Sequence, residues 1–331
     1  MRPSEDELIA KYFSPLAGPG AFGLTDDAAI LAQAPGEDTV VSSDMLTAGV
    51  HFFADDPPDF IARKALRVNL SDLAAKGAVP RGFLLSLALP EEWNSAWLGQ
   101  FARGLGEDAA MFGCPLLGGD TVKILGPLTI SIMVLGAVPR GQIISRQGVA
   151  EGDLLYVTGT IGDAALGLIL RREAERPSDG LGGQLGIEDV AYLTNRYLLP
   201  QPRLEMRWAL GACAHAAMDI SDGLAGDLAK ILKLNGVTTV VQETAIPLSS
   251  AARRLLNLSP RLFEAAVTGG DDYELLCSVP EPRGPAFEAA AREVGLVVTA
   301  IGTVKAGQAP PRFVDETGKN LTFRRLSFQH F

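Results

Sequence analysis

The sequence contains few of the side chains on which soft-metal and redox chemistry depend. Its 331 residues include only three cysteines and three histidines. The cysteines, Cys114, Cys213 and Cys277, lie far apart in apolar surroundings and show no Cys-x-x-Cys spacing. Zinc sites and disulfide-exchange motifs require such spacing, so neither is expected. The pattern predicts buried, reduced thiols and therefore a reducing compartment, the cytoplasm.

Long apolar runs and basic runs are also lacking. The longest apolar stretches, at 83–89 and 128–138, are far shorter than the roughly 20 residues of a membrane-spanning helix. The charged, amphipathic N-terminal segment is not typical of a signal peptide. Lys and Arg never follow one another in runs longer than a pair, and the net charge is −10. We therefore expect no membrane partner and no nucleic-acid partner.

The common catalytic signatures are missing as well. The chain has no GxxxxGK[ST] loop, no GxGxxG at a strand–helix junction and no HRD–DFG pair. These absences exclude P-loop NTPases and protein kinases. No GxSxG is present, so a serine hydrolase is not indicated. A nucleotide-dependent activity would need another architecture.

Aspartates in apolar or glycine-rich surroundings are the most informative residues that are present. A carboxylate in such surroundings costs free energy unless it is paired or binds a cation. Oxygen donors of this kind suit hard divalent cations, and they predict Mg²⁺. The clusters are Asp26-Asp27, Ser42-Ser43-Asp44, Asp72, Gly118-Gly119-Asp120, Asp219-Ile220-Ser221-Asp222 and Gly269-Gly270-Asp271-Asp272.

Each cluster also fits an ordinary structural role. Ser221 or Asp222 could cap a helix, because both follow a predicted strand and precede a predicted helix. The double glycines could form tight turns. Asp72 could face solvent from its helix, although Asn69 lies three residues before it and shares its face. A lone histidine such as His51 often has a structural role.

Hydrophobic periodicity predicts an α+β fold of two mixed α/β domains divided near residue 145. Strict βαβ alternation is absent, so a doubly wound sheet is not expected. The first domain should contain helices at 6–14, 59–76 and 95–112 and strands at 40–43, 83–89 and 127–138. The second should contain strands at 154–158, 217–220, 237–242, 273–279 and 297–304, helices at 163–172, 204–215, 224–234 and 285–294, and a polar surface loop at 173–186.

Eight motifs follow one another along nearly the whole chain. They are DDAAIL (26–31), SSDMLTAGVHF (42–52), KALRVNLSDLAAKGAVP (64–80), GGDT (118–121), SRQGVAEGDLLYVTGTIGDAALGL (145–168), MDISDGLAGDLAKI (218–231), GGDDYELL (269–276) and FQHF (328–331). The ordered combination is specific, whereas any single motif is not. It resembles the thiamine-monophosphate kinase family, which belongs to the aminoimidazole ribonucleotide synthetase-like superfamily.

The resemblance implies ATP-dependent phosphorylation of thiamine monophosphate to thiamine diphosphate, with several Mg²⁺ ions as cofactors. It also implies a homodimer in which the N-terminal domains pair through a β-barrel-like interface. Residues 1–145 would form the ATP- and metal-binding dimerisation domain, and residues 146–331 a C-terminal α+β domain. The acceptor is a phosphate oxygen that is already ionised at neutral pH, so we expect direct transfer without a catalytic base or nucleophile.

The same resemblance assigns site residues to this chain. Metal ligands would be Asp27, Ser42, Ser43, Asp44, Asp72, Asp120, Asp219 and Asp222. ATP contacts would be Gly119, Asp120, Arg146 and Ser221, and substrate contacts would be His51, Asp271 and Phe328. Three positions depart from the family pattern: Thr25 replaces a glycine, Asp271 replaces the glutamate of GGED, and Phe328 replaces Trp or Tyr.

Other functions remain open from the sequence. Selenophosphate synthetase would require a reactive cysteine or selenocysteine in a glycine-rich N-terminal segment, whereas no cysteine precedes Cys114. The hydrogenase-maturation relative ends in cysteine, whereas this chain ends in His330-Phe331. Aminoimidazole ribonucleotide synthetase shares the expected fold but not the SDMLTAGVHF and GGDDYELL segments. Outside these enzymes, a non-catalytic metal or nucleotide sensor and a Mg²⁺-dependent phosphatase are the alternatives.

Overall fold

The computed structural model of the chain describes residues 4–26, 28–174 and 180–328. Its contacts form two compact units, one of Met1–Leu73 and Ala78–Ile143 and the other of Ala74–Gly77 and Ile144–Phe331. Both units combine helices with β-sheet, so the predicted mixed α/β class is confirmed.

The first unit contains one mixed four-stranded sheet. Its strand order is β1-β4-β2-β3, with β2 and β3 parallel and the other pairs antiparallel. A helical N-terminal segment comprises α1 (Glu5–Leu8), a π-helical turn (Ile9–Phe13) and a 3₁₀ turn (Ser14–Leu16), and a second 3₁₀ turn covers Phe22–Leu24. The remaining elements are β1 (Glu37–Thr47), α2 (Pro58–Ala75), β2 (Val79–Leu89), α3 (Ser95–Met111), β3 (Leu116–Lys123) and β4 (Thr129–Pro139).

Alternation along the strands separates the two faces of this sheet. One face is buried and carries side chains such as Leu85, Leu87 and Ile132, whose exposures are 4%, 1% and 1%. The opposite face leaves Met45 and Met133 exposed at 60% and 40%. Helix α2 is buried around much of its circumference, and its buried side chains include the polar Lys64, Arg67 and Asn69.

The second unit contains an antiparallel four-stranded sheet of order β10-β5-β9-β6 and two small two-stranded sheets. Its strands are β5 (Leu154–Thr158), β6 (Ala216–Ile220), β7 (Val237–Thr238), β8 (Val240–Gln242), β9 (Glu274–Val279), β10 (Val298–Thr303), β11 (Lys305–Ala306) and β12 (Arg312–Val314). Its α-helices are α4 (Asp163–Ala174), α5 (Ile187–Leu198), α6 (Arg207–Cys213), α7 (Leu224–Asn235), α8 (Ser250–Leu258), α9 (Phe263–Thr268) and α10 (Gly284–Glu293). Single 3₁₀ turns lie at Leu181–Gln184, Leu204–Met206, Glu243–Ala245, Pro260–Leu262 and Glu281–Arg283.

Most predicted elements are present, and the differences have physical explanations. Strand β1 is longer than predicted at both ends, because residues 37–39 and 44–47 also pair with β4. Strand β3 was not predicted, because its double glycine resembles a turn. The expected helix at 204–215 is divided into a 3₁₀ turn and α6, and the strand at 237–242 is interrupted at Thr239.

Three helices of the second unit, α5, α8 and α9, were not predicted. The expected surface loop at 173–186 includes 175–179, which lie outside the described residues, and the 3₁₀ turn Leu181–Gln184. Helix α5 follows it directly, and its polar sequence obscured the apolar stripe that packs against α4. Helices α8 and α9 are short, and short helices give weak periodic signals.

The three cysteines are buried and free of disulfides, as predicted. Burial raises the pKa of the Cys114 and Cys277 thiols to about 12. Both therefore stay protonated and unreactive near neutral pH. Among the described residues, no helix has the length and apolar character required to span a bilayer.

Two helical glycines provide a matched test of packing in the second unit. A Cβ on Gly167 of α4 would lie 2.0 Å from the Leu193 carbonyl oxygen of α5, whereas one on Gly211 of α6 would meet no atom within 4 Å. We expect Gly167→Ala to destabilise the unit by about 1–3 kcal/mol through overpacking. Gly211→Ala should instead stabilise it by up to about 1 kcal/mol through helix propensity. Urea unfolding of both variants measures the difference, and equal effects would contradict the close α4–α5 contact.

Candidate functional site

A polar group connects β1 with α2 in the first unit. Ser42 Oγ donates a hydrogen bond to Asp72 Oδ2. The Asp44 N–H donates to Asn69 Oδ1 over 2.9 Å. Asn69 and Asp72 therefore lie on one face of α2, as their i, i+3 spacing predicts. The structure brings Ser42, Asp44 and Asp72 together, and it adds the Asn69 amide to this group.

Ser43 does not join this group through its side chain. Consecutive residues of a strand point to opposite faces of a sheet, so Ser43 lies on the face opposite Ser42. It pairs with Met133 on that exposed face. Asp27, the remaining predicted ligand at the N-terminal end, lies outside the described residues.

Asp120 lies at the other edge of the same sheet. Strands β1 and β3 are the two edge strands, separated by β4 and β2. Three strand spacings amount to about 14 Å, so the Ser42–Asp72 group and Asp120 cannot ligate one metal ion. A cavity of about 730 Å³ lies beside Asp120, and its lining includes Gly119, Ser86 and Asp26.

Gly119 is required by close packing between β2 and β3. A Cβ at this position would lie 1.8 Å from the Leu85 carbonyl oxygen. Its backbone therefore lies at the surface of the cavity without a side chain in front of it. Such exposed backbone is suited to close approach by a ligand, and the ATP contact at Gly119 stays a prediction.

His51 lies in the turn that follows β1. The Thr47 N–H donates to His51 Nδ1 over 3.0 Å, and the His51 N–H donates to the Thr47 carbonyl over 3.0 Å. Because Nδ1 accepts a hydrogen bond, the neutral ring carries its proton on Nε2. The turn thus fixes the tautomer of a predicted substrate contact.

Backbone hydrogen bonds converge on the end of β6 in the second unit. The Asp271 N–H donates to the Ser221 carbonyl over 2.9 Å, and the Tyr273 N–H donates to the Ile220 carbonyl over 2.9 Å. The Phe328 N–H donates to the Asp222 carbonyl over 3.1 Å. One predicted ATP contact, one metal ligand and two substrate contacts therefore lie side by side, although they are distant in sequence.

The loop that carries Asp271 has an unusual backbone. Asp271 and Tyr273 have φ angles of +75° and +50°, in the region that non-glycine residues seldom adopt. Such conformations persist only where surrounding contacts over-determine them, and they concentrate at functional sites. Here the contacts are the two hydrogen bonds to β6 and those of the Asp272 carboxylate.

Asp272 is buried beneath this loop. Its carboxylate accepts hydrogen bonds from the Gly162 N–H over 2.8 Å and from the Ala164 N–H over 3.4 Å. Burial raises the pKa of Asp272 well above its ordinary value, although the Gly162 hydrogen bond opposes the shift. Asp272 therefore anchors the loop internally, and its neighbour Asp271 is the more exposed of the two.

A second buried carboxylate, Glu274, lies at the start of β9. Arg196 Nη2 donates to it over 2.8 Å, Arg203 Nε over 2.7 Å and Thr158 Oγ1 over 2.6 Å. The Glu274 side chain has no exposed surface. Two guanidinium groups and a hydroxyl thus compensate the cost of burying its charge.

Asp219 and Asp222 lie at the carboxyl end of β6. Asp219 is 4% exposed, whereas the Asp222 side chain is 37% exposed. Neither Ser221 nor Asp222 caps α7, because the residue at the cap position is Gly223 and no side chain bonds there. The capping explanation therefore does not account for this motif.

Lys230 of α7 contacts Asp222, and the sequence analysis did not identify it. Its Nζ lies 2.5 Å from Asp222 Oδ2 and 2.9 Å from Asp227 Oδ1. Burial lowers the pKa of Lys230, but the hydrogen bonds to Asp222 and Asp227 outweigh it and hold the pKa above its ordinary value. The i, i+3 spacing of Asp227 and Lys230 was the available signal.

Arg146 lies apart from Ser221 within the second unit. The Ala217 N–H at the start of β6 donates to the carbonyl of Ser145, next to Arg146. Ser221 follows four residues later, about 13 Å along the strand. Asn235 at the end of α7 fixes this loop by donating to the Arg146 carbonyl over 2.8 Å. These two predicted ATP contacts therefore lie near opposite ends of β6.

The oxygen donors suit Mg²⁺ sites in which one or two side chains contribute part of the coordination sphere. Within the described residues, no three side chains of Asp, Glu, His or Cys lie close enough to surround one metal ion. Mg²⁺ is usually held by one or two carboxylates, with phosphates and water completing its octahedron. The Ser42–Asp72 group, Asp120, and the Asp219 and Asp222 pair each suit that arrangement.

Both halves of the chain match domains of known proteins. The family profile of the AIR synthase related protein N-terminal domain matches residues 25–138, and that of the C-terminal domain matches residues 150–314. The chain therefore has both domains of an AIR synthase related protein.

Individual relatives define the family more narrowly. The chain is 40% identical to thiamine-monophosphate kinase from Caulobacter vibrioides, over 99% of this chain and 91% of the relative. It is similar to the crystal structure of thiamine-monophosphate kinase from Stenotrophomonas maltophilia, with a TM-score of 0.79, 37% identity and coverage of 90% and 91% of the two chains. A structure of AaThiL complexed with AMPPCP and TMP matches with a TM-score of 0.76, 28% identity and coverage of 100% and 99%. The chain belongs to the thiamine-monophosphate kinase family.

The Glu274 network gives a prediction of stability. Glu274→Gln removes the charge that Arg196 and Arg203 share, and it leaves both guanidinium groups without a compensating carboxylate. We expect a loss of about 3–5 kcal/mol of unfolding free energy, as for other broken buried ion pairs. Chemical denaturation measures this loss. The exposed Glu281→Gln is the matched control, expected within about 0.5 kcal/mol of the native chain. A similarly small effect for Glu274→Gln would show that the network is not stabilising.

Proposed function

We propose that this chain transfers the terminal phosphoryl group of ATP to thiamine monophosphate, which forms thiamine diphosphate in thiamine biosynthesis. The observation that carries the proposal is the convergence of Ser221, Asp222, Asp271 and Phe328 at the end of β6. A related protein of similar fold, AaThiL, has been solved with AMPPCP and TMP together. AMPPCP is an ATP analogue, so that complex pairs a donor analogue with an acceptor.

Two residues of the β6 cluster suit the thiamine part of the acceptor. Phe328 is 48% exposed, and its ring is suited to stack on a cationic thiazolium. The Asp271 carboxylate would add a negative charge close to that cation. We assign a third substrate contact, His51, to the first unit, where the turn after β1 leaves Nε2 as the protonated nitrogen.

The proposed nucleotide contacts fall in both sequence halves. In the first unit, Gly119 provides bare backbone and Asp120 lines the adjacent cavity. In the second unit, Ser221 provides a hydroxyl at the end of β6, and Arg146 provides an exposed guanidinium in the loop fixed by Asn235. Arginine binds phosphate oxygens through paired donors, which suits this last assignment.

Mg²⁺ would be held in small sets by Ser42, Asp44 and Asp72, by Asp120, and by Asp219 and Asp222. We keep Asp27 and Ser43 as proposed ligands from the family resemblance. Bound Mg²⁺ supplies positive charge that offsets the repulsion between two polyanionic substrates. The residues themselves hold carboxylate and hydroxyl oxygens at fixed positions.

The proposed transfer is direct. The acceptor oxygen belongs to a phosphate group that carries a charge of about −1.5 to −2 at pH 7, so it requires little deprotonation. No side chain of the cluster needs to act as base or nucleophile. Catalysis would then consist of positioning and charge stabilisation.

The exposed face of the first unit's sheet supports a homodimer. Val41, Met45 and Met133 are 55%, 60% and 40% exposed on adjacent strands. A contiguous apolar sheet face of this kind is typical of a protein interface. We propose that two copies pair through it, with residues 1–145 as the dimerisation domain and 146–331 as the C-terminal domain. The buried, unoxidised thiols fit our assignment of the reaction to the cytoplasm.

A coupled assay tests the proposed reaction. Purified chain, ATP, Mg²⁺ and thiamine monophosphate are mixed, and thiamine diphosphate and ADP are measured by chromatography. We expect equal amounts of both products, and none with EDTA or with free thiamine as acceptor. Asp222→Asn should lower kcat by about 100-fold or more, the order of magnitude for loss of a preorganised charged group. The exposed Glu316→Gln is the matched control and should retain full activity.

Three results would contradict this function. Phosphate release from thiamine monophosphate without ATP would indicate a phosphatase. Nucleotide binding without turnover on any phosphorylated acceptor would indicate a sensor. ADP formation with a different phosphorylated acceptor would keep the chemistry and change the substrate. A phosphorylated protein trapped during turnover would contradict direct transfer alone.

The dimer is tested separately by mass. Sedimentation equilibrium should give twice the 34.9 kDa of one chain. Met45→Asp places a charge on the exposed apolar face and should shift the mass to that of one chain, because an unpaired buried charge is costly. Ile187→Asp changes an 85% exposed side chain of the second unit and should leave the mass unchanged. A monomeric native chain would overturn the proposed pairing.

A further inference from the structure

Lys230 is a cation that contacts Asp222 at the end of β6, and the proposed reaction assigns no role to it. Its Nζ lies 2.5 Å from Asp222 Oδ2 and 2.9 Å from Asp227 Oδ1. The Lys230 side chain is 48% exposed, whereas Asp227 is completely buried. The ammonium therefore binds an oxygen of the same carboxylate that we assign to Mg²⁺.

Asp227 holds this arrangement in place. Its Oδ2 accepts the Asp222 N–H over 2.9 Å, while its Oδ1 accepts from Lys230. A buried carboxylate needs a compensating charge, and Lys230 is the cation that contacts it. Lys230 thus has one fixed partner, Asp227, and one partner near solvent, Asp222. Only the contact with Asp222 can be exchanged without leaving a buried charge uncompensated.

We infer that Lys230 competes with divalent cations for Asp222 and lowers the affinity of that carboxylate for free metal. The inference rests on the proposed function for the assignment of Asp222 as a metal ligand. A metal ion reaching Asp222 Oδ2 must displace the ammonium or accept a like charge beside it. Either event lowers affinity when no phosphate is present to balance the added charge.

The contact between Lys230 and Asp222 would affect whether metal binds before phosphate or together with it. When it is displaced from Asp222, Lys230 remains bound to Asp227. Its ammonium group then has a free N–H that can donate a hydrogen bond to a phosphate oxygen. Metal carried by a phosphate ligand brings its own negative charge, so it displaces the ammonium at lower cost than free metal. Lys230 would therefore favour metal that arrives with phosphate over metal alone.

Direct titration with Mn²⁺, in the absence of nucleotide and thiamine monophosphate, tests this competition. Electron paramagnetic resonance measures the free Mn²⁺, and circular dichroism checks that each variant is folded. Lys230→Gln should bind Mn²⁺ about two- to fivefold more tightly, the scale of a partly exposed ion pair. Lys233→Gln, an exposed lysine on the same helix, should leave the affinity unchanged.

Two further variants locate the effect. Lys230→Arg keeps the positive charge and should bind Mn²⁺ no more tightly than the native chain, because arginine pairs strongly with carboxylates. The gain from Lys230→Gln should disappear when Asp222→Asn is added. This double substitution separates the β6 cluster from any other metal site in the chain.

Several outcomes would overturn the inference. These are equal or weaker Mn²⁺ binding by Lys230→Gln, a gain that persists without Asp222, or tighter binding by Lys230→Arg. If Lys230→Gln does not fold, tighter Mn²⁺ binding by Lys230→Arg than by the native chain would still overturn the inference. Failure of thiamine diphosphate formation by the native chain would overturn the proposed function instead, because the Mn²⁺ titration contains neither substrate.

Discussion

The burial of carboxyl groups imposes the strongest constraint on the second unit. Asp227, Asp272 and Glu274 are all at most 1% exposed, and each would cost several kcal/mol without matched donors. Each therefore has partners at fixed positions. Asp227 accepts from Lys230 and from the Asp222 N–H, Asp272 from two backbone N–H groups, and Glu274 from two arginines and a threonine.

These internal carboxylates position the exposed ones. Asp272 ties the loop after α9 to the turn before α4, and its neighbour Asp271 is thereby held with a positive φ next to Ser221. Asp227 ties Lys230 and the backbone of Asp222 to the first turns of α7. The residues proposed to bind ligands thus depend on buried carboxyl groups that do not themselves contact the ligands. A rigid scaffold behind a mobile ligand is the usual requirement for phosphoryl transfer by positioning.

The sequence indicated the proposed ligand-binding residues better than the buried residues that hold them in place. Asp222, Asp271 and Phe328 were predicted from motifs, and the structure places them together. Glu274 was not identified, because its role depends on Arg196 and Arg203, which are distant in sequence. Lys230 was overlooked although Asp227 lies only three residues before it. Local patterns reveal helices and turns, whereas a buried ion pair between two elements leaves no periodic signal. The strand β3 was overlooked for a related reason, since its glycines serve close packing rather than a turn.

In the first unit, the candidate metal-binding carboxylates lie in two places far apart instead of being held next to one another. Its candidate ligands are distributed along both edges of one sheet, with Ser42 and Asp72 at β1 and Asp120 at β3. Mg²⁺ binds its ligands at about 2.0–2.1 Å, so sites about 14 Å apart require separate ions. Mg²⁺ in proteins usually keeps several coordination positions for water and substrate phosphates. Each site would therefore bind its ion most tightly when substrate phosphates add the remaining ligands. The same dependence follows for Asp222, where Lys230 competes with free metal. If metal binds in these three places as proposed, the protein supplies part of the coordination and the charge on the phosphates determines when the metal binds.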